Sequence, residues 1–366
     1  MDINIKMDPS SKLVVCISST ALFDCNESHT IWKRDGLEAY KKHQREHADI
    51  PLKPGVGFPL VRSLLELNKV VDKPVVDIVL VSRNDTEFGK RITESINNYN
   101  LAIKQMSFTC GMDVTNYLPA WKCDLFLSTE EEQVRKVLSG ITSDPFEGIA
   151  AGLIYNLTPE LLPVQPAVLP SDNSTIVSSA PSRRVSAAVW PKDQVRIVFD
   201  GDGVLYSKEP ESKLTEYFEQ EMGSILLTKG PMQAFALKLQ NVRRALGRIN
   251  GWRIRTFLII ANSDTSPQRV FCALKEWGLD IDETHILNGS DRTPFLRIID
   301  PAIFFDYLNE HIEPIHSDIP AAHVPHSPRT TSCASIDDVV LTISRHVSRS
   351  ATYSEGDSRM KHIKNS

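Results

Sequence analysis

The segment from Val195 to Ser207 reads VRIVFDGDGVLYS, an apolar run that ends in two aspartates separated by one glycine. Residues 195–199 are rich in β-branched and aromatic side chains, which predicts a buried strand. Open α/β sheets bind their ligands at the carboxyl ends of strands, so Asp200 and Asp202 stand where reactive groups are expected. A glycine between two aspartates is also a common turn, so this segment alone leaves both interpretations open.

Two carboxylates at the end of one strand suit the chemistry of phosphoryl transfer. Asp200 can attack phosphorus, while Asp202 can protonate the leaving oxygen and later activate water. Because both anions would repel a phosphate, the pair calls for a divalent cation with oxygen ligands, such as Mg²⁺. Asp306, which closes the run AIFFD, is the candidate third carboxylate, and Arg292 is the candidate positive group. An EF-hand is excluded because Leu205 stands where that loop requires glycine.

The surrounding sequence alternates short β-branched runs with amphipathic stretches, which is typical of a parallel sheet covered by helices. Runs such as FLIIA and AIFF are apolar throughout, as strands that are buried on both faces require. In the second half of the chain the pattern predicts strands at 195–199, 255–260, 284–287 and 301–305, and helices at 231–248 and 267–277.

The first half of the chain carries a similar series of segments in the same order. The matching pairs are ISS at 17–19 with FDG at 199–201, LVSRN at 80–84 with LIIAN at 258–262, and FLS at 126–128 with FFD at 304–306. Chance similarity of apolar runs is the alternative explanation. The predicted fold class is therefore α/β, with two tandem Rossmann-like parallel-sheet units that are related by pseudo-duplication.

Composition along the chain predicts four parts. Residues 163–191 contain five prolines and six serines, which favours a linker or a long loop. The segment 329–366 is polar and serine-rich, and we expect a mostly disordered tail. The two domains that remain are an N-terminal α/β domain at 12–162 and a second α/β domain at 192–328, each long enough to bury a core.

Bulk composition excludes several classes of protein. The net charge is -5 and no block of basic residues occurs, which argues against a nucleic-acid partner. No apolar run approaches the roughly 20 residues of a membrane span, and the first residues lack an apolar signal core. The six cysteines are scattered without a CxxC pair, which favours reduced thiols. We therefore expect a cytoplasmic protein with no membrane partner.

The segment VFDGDGVLYS resembles the catalytic FDGDxVL(F/Y)S segment of the cytosolic 5′-nucleotidase type I family, within the haloacid dehalogenase-type phosphatases. Further segments resemble that family in the same order along the chain: ISSTALF (17–23), KPGVGFPLV (53–61), DIVLVSRND (77–85), SINNYNL (95–101), EGIAAG (147–152), WGLDIDE (277–283), IFFD (303–306) and AAHVP (321–325). The resemblance implies a haloacid dehalogenase-like fold and Mg²⁺-dependent hydrolysis of nucleoside 5′-monophosphates in the cytosol, with AMP as the usual substrate.

The resemblance also implies roles for particular residues. Asp200 would be the nucleophile and Asp202 the general acid/base, with Mg²⁺ held by the Asp200 carboxylate, the Asp202 main-chain carbonyl and Asp306. Further candidates for binding the substrate are Gly201, Asn262 and Ser263. The partners that we expect are a nucleoside monophosphate, a nucleotide effector such as ADP, and further copies of the chain in a homo-oligomer.

The sequence departs from the family pattern at three positions. Ile260 stands where the family has a Thr or Ser hydroxyl, Arg292 stands where lysine is usual, and Tyr307 replaces the second of two carboxylates. An arginine keeps the charge but changes the geometry of the phosphate contact. The losses at the other two positions predict a reduced rate. The alternative is a catalytically weak or inactive nucleotide-binding regulatory protein on the same scaffold.

The first half of the chain lacks the catalytic carboxylates. By the internal alignment Ser18, Thr20 and Ser128 stand at the positions of Asp200, Asp202 and Asp306. Ser82 remains where a phosphate-binding hydroxyl would lie, with Asn84 close by, so both are candidates for binding nucleotide. They could serve the substrate or an effector site. The alternative is that this half only packs against the other.

Overall fold

The structure is a computed structural model that describes residues 12–139, 148–155, 190–207, 227–261 and 265–325. The predicted linker at 163–191 lies outside the described residues except for Trp190 and Pro191, and the predicted tail at 329–366 lies wholly outside them. No helix in the described ranges combines the length and the apolar character needed to cross a membrane.

Strands and helices alternate along both halves of the chain. The strands are β1 (Leu13–Ser18), β2 (Phe23–Asp24), β3 (Lys53–Pro54), β4 (Val76–Ser82), β5 (Gln105–Phe108), β6 (Leu125–Ser128), β7 (Ala150–Ile154), β8 (Val195–Asp200), β9 (Tyr206–Ser207), β10 (Thr228–Lys229), β11 (Ile254–Ile260), β12 (Glu283–Ile286), β13 (Ile303–Asp306) and β14 (Ala321–His323). The helices are α1 (Ser19–Leu22), α2 (Asn26–Glu46), α3 (Phe58–Leu67), α4 (Thr86–Asn98), α5 (Glu131–Leu138), α6 (Gln233–Ala245), α7 (Gly247–Asn250), α8 (Pro267–Glu276), α9 (Thr293–Ile299) and α10 (Asn309–Ile312), with 3₁₀ turns at Asn68–Val70, Val114–Tyr117 and Gly251–Arg253.

Ten of the described strands form one sheet in the order β12-β11-β8-β13-β14-β7-β6-β1-β4-β5. All neighbours in this sheet are parallel except β14 and β7, which pair antiparallel with His323 opposite Leu153. The predicted α/β class with a mostly parallel sheet is therefore confirmed. The one antiparallel pair makes the strands of the two halves run in opposite directions. Their carboxyl ends consequently lie at opposite edges of the sheet.

Local backbone features explain where the predicted elements end. The helix predicted at 231–248 is divided because Gly247 has a φ of +70°, so α6 ends and α7 begins. The strand predicted at 301–305 begins later because Asp300, at the end of α9, adopts the left-handed conformation with a φ of +49°. A left-handed residue of this kind is a common helix ending.

A cluster of three aromatic side chains packs between helix α6 and two adjacent strands in the second half of the sheet. Phe199 on β8 stacks on Phe305 on β13 with ring centroids 5.7 Å apart, and Phe235 of α6 packs edge-on against both rings. All three side chains are fully buried. Phe305 is also the register partner of Phe199, so the residues that follow them, Asp306 and Asp200, lie side by side at the carboxyl ends.

The turn after β8 is held by main-chain contacts that leave little room. The amide of Gly201 donates to the Ile259 carbonyl at 2.9 Å, while the Gly201 carbonyl accepts from Leu205 and Tyr206. The amide of Gly230 donates to the Leu205 carbonyl at 2.8 Å, which ties the β9–β10 pair to this turn. A Cβ atom on Gly230 would lie 2.4 Å from the Val204 carbonyl oxygen. The backbone therefore requires glycine at this position.

Replacing Gly230 should test how tightly this turn is packed. Because the clash is with backbone atoms, Gly230→Ala should lower the free energy of unfolding by about 1–3 kcal/mol, the usual range for overpacking. The matched control is Gly251→Ala, since a Cβ atom there would lie 3.4 Å from its nearest neighbour. Denaturant unfolding of both variants measures the difference. Equal stability of the two variants would contradict this packing.

Candidate active site

Two aspartates from adjacent strands meet at one edge of the sheet. Asp200 ends β8 and Asp306 ends β13, and the exposed fractions of the two residues are 3% and 0%. Their proximity follows from the parallel pairing of the strands, which aligns the carboxyl ends. Two buried carboxylates so close together repel one another, so the site needs a positive partner.

Arg292 supplies that positive partner. Its Nη1 atom lies 3.1 Å from Asp200 Oδ1 and also contacts Asp306 Oδ2. The residue is buried, and it stands immediately before α9, where Asp291 accepts a hydrogen bond of 2.9 Å from the Thr293 amide. This turn holds Arg292 in place at the start of the helix. One guanidinium therefore serves both carboxylates.

The environment of Asp200 shifts the pKa of its carboxyl group. Burial raises the pKa of the Asp200 carboxyl well above its usual range, and the neighbouring Asp306 raises it further. The charge of Arg292 acts in the opposite direction on the pKa of Asp200. The unliganded site consequently disfavours the ionised form of Asp200. Added positive charge would stabilise that form.

Asp202 lies in the turn beyond β8 and is less buried than Asp200. The hydroxyl of Thr265 donates to Asp202 Oδ1 at 3.4 Å, and Thr265 itself is buried. Ile260, at the end of β11, has no hydroxyl and is 1% exposed. Thr265, five residues further on, is therefore the nearby hydroxyl that the sequence pattern did not locate.

A cleft with a volume of ≈ 590 Å³ lies beside the carboxylates. Asp200, Asp202 and Arg292 open onto it together with the segments 289–293 and 307–311. His311 is not among the site residues that the sequence predicts, and its Nδ1 atom lies 3.1 Å from Asp306 Oδ2. No sequence motif marks this histidine, because its relation to Asp306 depends on the turn between them.

The structure describes some, but not all, of the remaining residues of the second half that the sequence singles out. Gly201 forms the backbone of the turn, and a Cβ atom there would lie 2.5 Å from the Tyr206 hydroxyl oxygen. Asn262 and Ser263 lie outside the described residues, so their role in binding substrate stays a prediction. Tyr307 lines the cleft, and its ring lies against Gly203.

Ser82 and Asn84 are not brought to the carboxylates. They lie at the end of β4, which is six strand spacings from β8, or about 29 Å. The antiparallel pairing of β14 with β7 also places them at the opposite edge of the sheet. There the Ser82 hydroxyl lies 3.0 Å from that of Ser19, and the Asn84 amide donates to Ser82 at 3.1 Å. They do not share a site with Asp200.

The donors of the cleft suit a hard divalent cation. Carboxylate oxygens are ligands that Mg²⁺ prefers, and both Asp200 and Asp306 already contact one cationic group, Arg292. No three His, Cys, Asp or Glu side chains within the described ranges are grouped closely enough to hold a metal ion. The chemistry of the residues fits the ion.

Comparison with known proteins agrees with this chemistry. A family model described as 5′-nucleotidase matches residues 5–331. The chain therefore belongs to the 5′-nucleotidase family, and the resemblance drawn from the sequence is confirmed. Human cytosolic 5′-nucleotidase 1B is 29% identical to this chain over 322 residues, which cover 83% of this chain and 47% of the relative. The chain thus spans about half the length of that curated relative.

Removing the charge of Asp200 should stabilise the fold. Because the folded protein disfavours this buried charge, Asp200→Asn should raise the free energy of unfolding by about 1–2 kcal/mol at neutral pH. Arg292 would keep Asp306 as its partner. Thermal unfolding in the presence of a chelator measures the change, with the exposed Asp280→Asn as the control. A lower melting temperature for Asp200→Asn would show that its attraction to Arg292 outweighs the cost of burial.

Proposed function

We propose that this chain is a Mg²⁺-dependent 5′-nucleotidase that hydrolyses nucleoside 5′-monophosphates, with AMP as the preferred substrate, through an aspartyl-phosphate. The observation that carries the proposal is the contact of Arg292 with both Asp200 and Asp306, beside a cleft that Asp200, Asp202 and Arg292 line. Membership of the 5′-nucleotidase family supports the choice of a nucleotide phosphate over other phosphate esters.

Each carboxylate has a separate task in this proposal. An Asp200 oxygen forms a bond to phosphorus as the bond to the nucleoside 5′-oxygen breaks, and Asp202 gives that oxygen a proton. Asp202 then takes a proton from water, which attacks phosphorus and releases Asp200 together with phosphate. The Thr265 hydroxyl orients Asp202 for both transfers. Arg292 is close enough to Asp200 to contact the phosphate oxygens.

The cation would be held by the carboxylates of Asp200 and Asp306 and by the Asp202 main-chain carbonyl. When bound, Mg²⁺ would offset the repulsion between the phosphate and these acidic groups. The raised pKa of Asp200 is consistent with this requirement for added positive charge. Asp306 is fully buried and contacts Arg292, so in this proposal it holds Arg292 and the cation and does not react with the substrate.

We also propose that the chain consists of two tandem Rossmann-like domains, at 12–162 and 192–328, which arose by duplication. From the antiparallel pair outward, the strand orders β7-β6-β1-β4-β5 and β14-β13-β8-β11-β12 follow the same sequence of connections. Main-chain hydrogen bonds repeat as well. Gly55 donates to Leu22 as Gly230 donates to Leu205, and Gly111 donates to Arg83 as Gly289 donates to Ala261.

The location, effector and assembly of the chain are further parts of the proposal. The relative is named as cytosolic, and we propose the cytoplasm as the location of this chain. We also propose a nucleotide effector and a homo-oligomeric state. The alternative, a catalytically weak regulatory nucleotide-binding protein, is favoured by two observations: Ile260 offers no hydroxyl, and Tyr307 lies in the cleft beside Asp306 in place of a carboxylate.

A phosphate-release assay distinguishes the enzyme hypothesis from the alternative of a regulatory nucleotide-binding protein. Purified protein with Mg²⁺ should release phosphate from AMP, and Asp200→Asn should lower the rate by about 10³-fold or more because it removes the nucleophile. Asp280→Asn, an exposed carboxylate of the same half, should leave the rate unchanged. A screen of nucleoside monophosphates with and without added ADP measures both rates. Equal background rates of phosphate release for wild type and Asp200→Asn would refute the hypothesis that the chain is an enzyme.

The Thr265 hydroxyl should matter for the rate more than for the fold. Thr265→Val keeps the shape but removes the donor to Asp202, so the turnover number should fall about tenfold, the cost of one hydrogen bond to a charged group. Thr265→Ser keeps the hydroxyl and should retain most of the rate. Turnover numbers and melting temperatures of both variants are the measurements. A Val variant that is as active as the Ser variant would exclude this role.

A further inference from the structure

The side chain of His311 lines the cleft and contacts both Asp306 and Arg292. It lies on α10, where its Nδ1 atom is 3.2 Å from Asp306 Oδ1 and 3.1 Å from Asp306 Oδ2. Its Nε2 atom is 3.4 Å from Arg292 Nη2. The exposed fraction of its side chain is 27%, so the ring opens partly onto the cleft.

The chemistry of the two partners determines the tautomer of His311. A carboxylate accepts hydrogen bonds, so the Nδ1 atom that faces Asp306 must carry a proton. A guanidinium only donates, so the Nε2 atom that faces Arg292 must accept. A neutral imidazole with its proton on Nδ1 meets both requirements. Asp306, Arg292 and His311 thereby form a closed ring of contacts, because Arg292 also contacts Asp306 directly.

Asp306 is held from several directions in this ring. Its Oδ1 atom accepts the Leu308 amide at 2.9 Å as well as His311, and its Oδ2 atom accepts Arg292. The Leu308 amide belongs to the backbone and would remain in any variant. The His311 contact also fixes the carboxylate relative to Arg292, and it does so through a side chain that can be replaced.

We infer that His311 is a positioning residue that holds the Asp306 carboxylate and the Arg292 guanidinium in the arrangement needed for the cation and the phosphate. The inference rests on the proposed function, since it assigns the cation to Asp306 and the phosphate to Arg292. His311 acts through these two residues. Groups that orient metal ligands in this way typically change metal affinity by about 10–100-fold when they are removed.

Two amide variants separate the two contacts of His311. The amide nitrogen of Asn can take the place of Nδ1 and donate to Asp306, whereas the longer Gln places its amide near Nε2 and can accept from Arg292. His311→Asn should therefore keep the affinity for Mg²⁺ within about threefold of wild type, while His311→Gln and His311→Ala lower it by about tenfold or more. The KM for AMP should show the reverse order, with Gln near wild type and Asn raised.

Calorimetric titration of Mg²⁺ into the full chain without substrate measures the affinity, and steady-state kinetics give the KM. His316→Gln is the control, because that ring bonds the Glu313 carbonyl oxygen. Equal losses of Mg²⁺ affinity in the Asn and Gln variants would overturn the inference, since a packing role does not distinguish the two amides. Wild-type affinity in all three variants would also overturn it. If wild type releases no phosphate but the Mg²⁺ pattern holds, the nucleotidase proposal fails and the metal half of the inference stands.

Discussion

The repulsion between two buried carboxylates is the constraint on which the rest of the site depends. Asp200 and Asp306 end adjacent strands; burial raises the pKa of Asp200, and the nearby Asp306 raises it further. Arg292 offsets both charges and is itself held at the start of α9. His311 joins the same set from α10. The buried charge of Asp200 therefore lowers the stability of the fold, a cost that functional sites often carry.

A second constraint is the single antiparallel pair in the middle of the sheet. Because β14 and β7 run in opposite directions, the two halves present their carboxyl ends at opposite edges. One edge carries the acidic cluster, and the other carries hydroxyls such as those of Ser19 and Ser82, which bond each other. The two edges cannot act on one small ligand together. Any nucleotide bound by Ser82 would therefore occupy a site separate from the cleft of Asp200.

Much of the acidic site could be predicted because it depends on a local rule. Parallel strands place the residues that follow them at one edge of the sheet, so the sequence predicts Asp200, Asp202 and Asp306 there. The strand predicted at 255–260 agrees with β11 to within one residue, because its continuous apolar run marks it clearly. Thr265 and His311 could not be predicted in this way, because each reaches the site through a turn whose path the pattern of residue types does not specify.

The class of fold, the family and the identity of the charged groups follow from the sequence alone, because apolar periodicity and short motifs are local properties of the chain. How those groups meet depends on the tertiary structure. In the structure Arg292 contacts both Asp200 and Asp306, whereas Ser82 lies at the opposite edge of the sheet. The physical reason is that such contacts depend on the direction and register of strand pairs, which residues distant in sequence determine together.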